Sequence, residues 1–243
     1  MYVKLYTKNE RSATRELTAI FDSINIVINI KEYPMKKIYI SFIILITFIS
    51  LLGISYSFSA YQPETPKAEL PVLITSCGQS PGATMLKVFF MKLKFECKPK
   101  AYEVNMLASA EDLKSQEESG FPYKSLIIVM GSSLKGMGAA GISIDNELDR
   151  IAKLIEEAHR QSITIIGAHI EGMKRRAQGA SVGDNTDELS IDAVAPNSDF
   201  LIINKNGNTD GRFTSISNAK NIPMIEVEKN LDLLTEIEKI FKN

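Results

Sequence analysis

The sequence predicts a single α/β domain: a three-layer sandwich around a mostly parallel sheet of about six strands. Three observations carry this reading. Leu126–Met130 is a run of five apolar residues without polar alternation, the pattern of a strand covered on both faces, as parallel sheets are. Candidate strands alternate with candidate helices from residue 72 onward, which leads to parallel pairing with right-handed crossovers. The central run stops at Gly131 and opens into small residues as far as Gly141. A loop of that kind at the carboxyl end of a strand is where ligands bind in such sheets.

The elements follow in order. Pro63, Pro66 and Pro71 mark residues 60–71 as an extended linker ahead of a domain spanning 72–243. Val72–Ser76 is the first strand and ends at Gly78. A helix runs from Pro81 to about Phe95, with Leu86, Phe89, Phe90 and Leu93 on one stripe and Lys87 and Lys94 outside it. A short strand at Ala101–Asn105 and a polar helix at Ser109–Glu118 lead into the central strand. Beyond the glycine-rich loop, Ser143 is placed to cap a helix whose Ile144, Leu148, Ile151, Ile155 and Ala158 recur at helical spacing.

Ile163–Ala168 is the fourth strand. Ile170–Ser198 is the longest connection, with a basic run (Lys174, Arg175, Arg176), hinge glycines (Gly179, Gly183) and a helix starting near Asn185. Connections of this length are commonly lids or site-builders. Asp199–Asn204 is the fifth strand, Asn206–Gly211 a turn and Arg212–Ala219 a short helix. Pro223–Val227 is the last strand, and Asn230 is placed to cap a final helix through Leu231, Leu234, Ile237 and Phe241. A strand order of 2-1-3-4-5-6, flavodoxin-like or Rossmann-like, puts the topological switch point beside Gly78–Gly82 and Gly131–Gly141.

The 243 residues carry a formal charge of -1, so neither a nucleic-acid binder nor a disordered chain is indicated. Ahead of the domain, Met35-Lys36-Lys37 precedes the uncharged Ile38–Leu52 and a small-residue stretch ending Ser57-Phe58-Ser59-Ala60. That is the layout of a secretory signal over residues 35–59, cut after Ser59. A retained anchor is the alternative, because Ile38–Ala60 holds 23 uncharged residues and about 20 span a bilayer. Either way the domain is extracytoplasmic, secreted or membrane-anchored, with membrane contact confined to residues 38–60. Residues 1–34 read as an upstream extension, with translation starting at Met35: codons for Lys31-Glu32 can form a ribosome-binding sequence just before it. Cys77 and Cys97 lie at opposite ends of a helix ~20 Å long, beyond the ~7 Å reach of a disulfide. Two free, buried thiols are expected.

Gly78-Gln79-Ser80-Pro81-Gly82 matches G-x-S-x-G, the nucleophile elbow. Pro81 argues against that role, since it lacks the N–H an oxyanion hole needs and holds Ser80 extended. Ser80 as N-cap and Pro81 at the first helical position is the better reading. It leaves the N–H groups of Gly82 and Ala83 as an anion site. Gly136–Gly141 matches G-x-G-x-x-G, but Gly131–Lys135 separates it from the strand, and Glu171 falls about 30 residues on rather than about 20. Close approach of backbone to backbone or ligand explains the glycines. Lys135 is the one charge there, with an exposed loop lysine as the plain reading.

His169 and Glu171 end the fourth strand. His169 is a candidate base with Glu171 or Asp184 orienting it, against a hydrogen-bonded structural histidine; His159 lies on the wet side of its helix. Asp184, Asp187, Glu188 and Asp192 crowd one helix start, which an Asn185/Glu188 cap and the helix dipole account for without a metal. Arg175 and its neighbours either grip an anion or form a solvated face. Asn206, Asn208, Asp210 and Gly211 imitate half of a calcium loop, but Ser217 stands where the glutamate belongs, so a turn is read.

VLITSCGQSPG (72–82), GSSLKGMGAAGIS (131–143) and IGAHIEG (166–172) together resemble a family of exported bacterial α/β proteins known as a domain of unknown function, over about Pro71–Phe241. The resemblance implies export and implies that the two glycine loops belong together; it implies no reaction, cofactor or catalytic residue. The expected function is binding of a small polar, anionic molecule. Its site comprises Gln79, Ser80, Gly82 and Ala83, then Gly131, Ser132, Ser133, Lys135 and Gly138, with Arg175 closing over. A hydrolase or transferase using His169 and Glu171 is the alternative, and a tethered interaction module a third. No cofactor, metal or nucleic acid is called for, and the ligand and the oligomeric state stay open.

Overall fold

The computed structural model describes residues 65–181 and 184–242. The expectations for the upstream extension, the signal or anchor and the start at Met35 lie outside them. Six strands form one all-parallel sheet: β1 (Val72–Cys77), β2 (Tyr102–Val104), β3 (Ser125–Met130), β4 (Thr164–His169), β5 (Phe200–Asn204) and β6 (Met224–Val227). Their spatial order is β2-β1-β3-β4-β5-β6, as the sequence predicts. Val72 pairs with Tyr102 on one side and Ser125 on the other, so β1 lies between its neighbours with the switch point beside it. Every residue of β1, β3 and β5 is buried, which is why these strands read as unbroken apolar runs.

Side chains alternate across a strand, and the core is accordingly split in two. Leu73, Leu126, Ile128, Ile165 and Leu201 face one layer; Val72, Ile74, Ile127, Ile166 and Ile202 face the other. The second face is covered by α1 (Gly82–Leu93) and the C-terminal α7 (Leu233–Phe241), through Leu86, Phe89, Phe90, Ile237 and Ile240. The first is covered by α2 (Ala110–Glu118), α4 (Ile144–Arg160), α5 (Thr186–Val194) and α6 (Arg212–Lys220), through Leu113, Ile151, Leu154, Ile191 and Phe213. Each such side chain contributes ~1.5–3 kcal/mol by leaving water. Two starts are fixed locally: Ser109 with Asp112 and Ser143 with Asn146 form reciprocal caps, worth ~1 kcal/mol each.

Four expectations are corrected. The glycine-rich stretch is not a loop throughout: Leu134–Ala140 is a helix, α3, capped by Ser133 accepting from the Gly136 N–H and closed by Gly141 in the left-handed region. The linker is docked from Lys67 on, with the Ala68 N–H on the Ile240 carbonyl (3.1 Å) and the Glu69 N–H on Ser125 Oγ (3.1 Å). A 3-10 turn over Asn230–Asp232 precedes α7; Asn230 Oδ1 accepts from Asn204 Nδ2 (2.9 Å) instead of capping the helix. Both cysteines are free, but Cys97 is only half-buried.

Candidate functional site

At the switch point β1 and β3 end in interlocked turns. Gly78 (φ 101°), Gln79 (φ 56°) and Gly131 (φ 139°) adopt backbone angles that side chains disfavour, and an isolated antiparallel bridge joins Gln79 to Ser132. A Cβ on Gly78 would lie 2.6 Å from the Gly131 carbonyl oxygen, and one on Gly136 would collide with that of Gln79. Close backbone approach is what these glycines permit. Strain of this kind collects at functional sites.

The turns leave three backbone N–H groups to be satisfied, and each receives a carboxylate from a remote element. Gly78 donates to Glu147 Oε1 of α4 (2.8 Å), Ser132 to Asp187 Oδ1 of α5 (2.5 Å) and Gly82, the first residue of α1, to Glu171 Oε2 beyond β4 (3.1 Å). Two of the carboxylates carry their own arginine. Glu147, wholly buried, accepts from Arg150 Nε (2.8 Å) and Gln79 Nε2 (2.7 Å). Glu171 accepts from Arg175 Nε (3.1 Å), while Arg175 Nη1 donates to the Ser132 carbonyl (2.7 Å). Asp187 has no arginine bonded to it among the described residues: burial raises its pKa, against the lowering pull of the Ser132 N–H and of Arg175. Burial, with Glu147 nearby, also pushes the Cys77 thiol up to about 12, so it is inert as a nucleophile at neutral pH.

A second cluster anchors the connection that carries these groups. The Arg176 side chain is 1% exposed; its Nε reaches Glu188 Oε1 (2.8 Å) and its Nη2 reaches Asp210 Oδ2 (2.7 Å). Arg176 Nη1 donates to the Gly207 carbonyl, and the guanidinium lies 5.6 Å from the Phe213 ring centre. Burial opposes ionisation of Glu188, but Arg176 and the Ala177 N–H outweigh it and hold its pKa low.

A family model described as a domain of unknown function (DUF6305) matches residues 69–241. The chain belongs to the DUF6305 family. No curated protein matches it. Among solved structures it is similar to an acetyl xylan esterase, AlAXEase, at 12% identity and a TM-score of 0.31, over 70% of this chain and 86% of that one. At that identity and score the likeness says nothing about activity here.

Within this DUF6305 domain the structure gathers Gln79, Gly82, Gly131, Ser132 and Arg175 around one rim, with Ser133 and Gly136 alongside. Ala83 is buried in the α1 core. Lys135 and Gly138 sit on the exposed side of α3, and nothing lies within 4 Å of a Cβ built on Gly138. Ser80 is not the helix cap: Pro81 occupies that position without a side-chain hydrogen bond, and Ser80 Oγ is buried with no hydrogen-bond partner among the described residues. Glu171 does the capping, 89 residues downstream of Gly82. Nor is the basic run a solvated face, since only Lys174 of the three is exposed. Glu188, expected to act in a cap with Asn185, instead holds Arg176 and the Ala177 N–H.

His169 does not point into the site. It is fully buried, its Nδ1 3.2 Å from the Met130 carbonyl and its Nε2 3.1 Å from that of Gly172, with the Phe213 ring tilted against it at 5.0 Å. Both ring nitrogens are turned to backbone carbonyl oxygens, one of which takes the N–H of the neutral ring, and neither nitrogen is presented to the rim. Burial lowers its pKa, against the raising effect of the two carbonyls. His169→Ala is therefore expected to lose ~2–3 kcal/mol of stability through a cavity and lost hydrogen bonds, measured by urea unfolding. A histidine whose folded pKa lies below its unfolded value, ~6.5, favours the fold above that pH. Its contribution fades as pH falls further, because the unfolded chain then binds the extra proton. This acid loss is expected to vanish in the variant; a parental melting curve would instead return His169 to a chemical role.

Among the described residues no three His, Cys, Asp or Glu are placed to hold a metal ion. A groove of about 640 Å³ lies between α4 and α5, lined by Leu148, Ile155, His159, Leu189 and Asp192. It lacks the converging backbone donors found at the strand ends.

Proposed function

We propose that the chain is an extracytoplasmic binding protein for a small polar, anionic molecule. The ligand's carboxylate or phosphate takes the place of Glu171 between the α1 N-terminus and Arg175. One observation supports this above all: Glu171 already holds a carboxylate on the Gly82 N–H and on Arg175 Nε, both at 3.1 Å. A helix start carries about +0.5 charge, and an arginine beside it completes the coordination an anionic ligand seeks. In this reading Glu171 is an internal stand-in that the ligand displaces. Its competition weakens apparent affinity in proportion to how rarely the site stands open.

The test is thermal unfolding of the protein, Glu171→Gln and Arg175→Ala against a panel of small carboxylates and phosphates. Compounds that raise Tm in the parent are expected to do so at roughly tenfold lower concentration in Glu171→Gln, as removing ~1.4 kcal/mol of competition requires, and to have no effect in Arg175→Ala. A panel that shifts neither the parent nor Glu171→Gln overturns the reading and makes Glu171 a permanent cap. The export half of the proposal rests on the sequence of residues 35–60. The mass of the mature chain checks it: a start at Ala60 supports a cleaved signal, a start at Met35 a retained anchor, and a cytoplasmic protein refutes both.

A further inference from the structure

We propose that the outward side of α1, with the turn beyond it, is a docking face for an anionic lipid surface, a role independent of ligand binding at the rim. Burial of Leu86, Phe89 and Phe90 turns Val88 and Met91 toward solvent, 45% and 57% exposed. At 100° per residue these two lie ~60° apart, with Lys87 ~40° beyond Met91 and Lys92 ~40° beyond Val88. An apolar stripe is thus edged by lysine on both sides. Lys94 and Lys98 continue the basic surface; all four lysines are exposed. Lys100 pairs with Glu103, but none of the four enters an ion pair among the described residues. Leu231, 65% exposed, follows Asn230, whose amide donates to Met85 Sδ on α1 (3.4 Å). The turn that carries this exposed leucine is thus held against α1.

Charge supports the assignment. Between Thr84 and Lys98 there are four lysines and one acid, Glu96, in a chain whose net charge is -1. Lysines that flank an apolar stripe can bury their stems while the ammonium groups reach lipid phosphates. A nucleic acid would take the lysines but leave Val88, Met91 and Leu231 in water. An acidic protein would need a pocket shaped to them, whereas a bilayer accepts them without one. In the alternative in which the uncharged run at 38–60 is retained as an anchor, that run holds the domain close to a membrane. Each lysine near an anionic surface contributes roughly fivefold to partition at low salt.

The chain contains no tryptophan, so Met91→Trp in the full-length protein places a single indole on the face. The protein is added to vesicles of phosphatidylcholine alone and of phosphatidylcholine with a minority of phosphatidylglycerol. On the anionic vesicles the emission is expected to shift to the blue and to be quenched by lipids brominated in the acyl chains. On neutral vesicles neither should occur, and salt should reverse both. Changing Lys87, Lys92, Lys94 and Lys98 to glutamate is expected to abolish the response by lowering partition at least a hundredfold, with the domain still unfolding cooperatively and Tm lower by only a few degrees, since all four are exposed but Lys92 and Lys94 lie at the α1 C-terminus. An indole that stays water-exposed on anionic vesicles overturns the proposal. So does quenching that survives the charge reversal, or an equal response to a soluble oligonucleotide, which would give the face to a different partner.

Discussion

Glu147→Ala is expected to remove ~3–5 kcal/mol of stability, the range for deleting one partner of a buried ion pair. Glu147 is fully buried and accepts from three donors, the Gly78 N–H, Gln79 Nε2 and Arg150 Nε. Its loss strands an arginine side chain that is only 14% exposed. Arg150 keeps the carbonyls of Ser76 and Ala108 but no counter-charge. For a domain of this size the loss corresponds to a Tm lower by about 10 °C. Arg150→Ala alone should be comparably costly. The double variant should lose clearly less than the sum, because no unpaired charge remains. Urea unfolding of the four proteins measures this directly, and strictly additive losses would show that water neutralises either group alone. Because Gly78 and Gln79 set the turn at the switch point, ligand-dependent stabilisation should also fall in Glu147→Ala, although the glutamate touches no ligand.

The fold was legible where the physics is local. Unbroken apolar runs mark strands buried on both faces, and helical spacing places Ile151 and Ile155 toward the sheet, so strand order and layers follow from alternation. Leu134–Ala140 was illegible as a helix because two of its seven residues are glycine, each unfavourable by ~1 kcal/mol in a helix. Contact overrides propensity there: Gly136 can only lie where it does because Gln79 leaves no room for a side chain. The rim groups were half legible. Gln79, Gly82, Gly131 and Ser132 were found through the switch-point rule, but not the carboxylates that occupy Gly78 and Ser132. Glu147 did leave a signal, since it stands four residues before Ile151 and so on the buried stripe, where a charge demands a partner. His169 was misplaced for a related reason. The end of a strand is a position, and only neighbours such as Phe213 and the Met130 and Gly172 carbonyls decide whether a side chain there meets solvent or core. Arg175 was legible as a rim group through the basic run, but Arg176 was not separable from it: in a short 3-10 turn adjacent residues diverge, and the partners of Arg176 lie far along the chain.

Arg176→Ala should be as damaging as Glu147→Ala, ~3–5 kcal/mol, but with a different dependence on pH. The guanidinium binds Glu188, Asp210 and the Gly207 carbonyl while lying over Phe213, so it joins the 170s connection to α5 and to the turn before α6. Its bond to Asp210 holds that carboxyl at about 2, below its unfolded value. The unfolded chain therefore takes up this proton first as pH falls, and stability from the pair is complete above pH ~4 and fades toward pH ~2. The Asp210 side chain is 35% exposed, so solvent screening limits this limb to ~1 kcal/mol. In Arg176→Ala that limb should flatten while the larger loss, from Glu188 left with the part-exposed Arg212 at 3.2 Å as its only cation among the described residues, persists at neutral pH. Arg176→Lys should not restore stability, since a single ammonium cannot serve a carboxylate on either side and a carbonyl in the plane between them. Were the lysine variant to unfold with the parent, charge alone would suffice. The planar fork would then not be what holds Glu171, Arg175 and Asp187 at the rim.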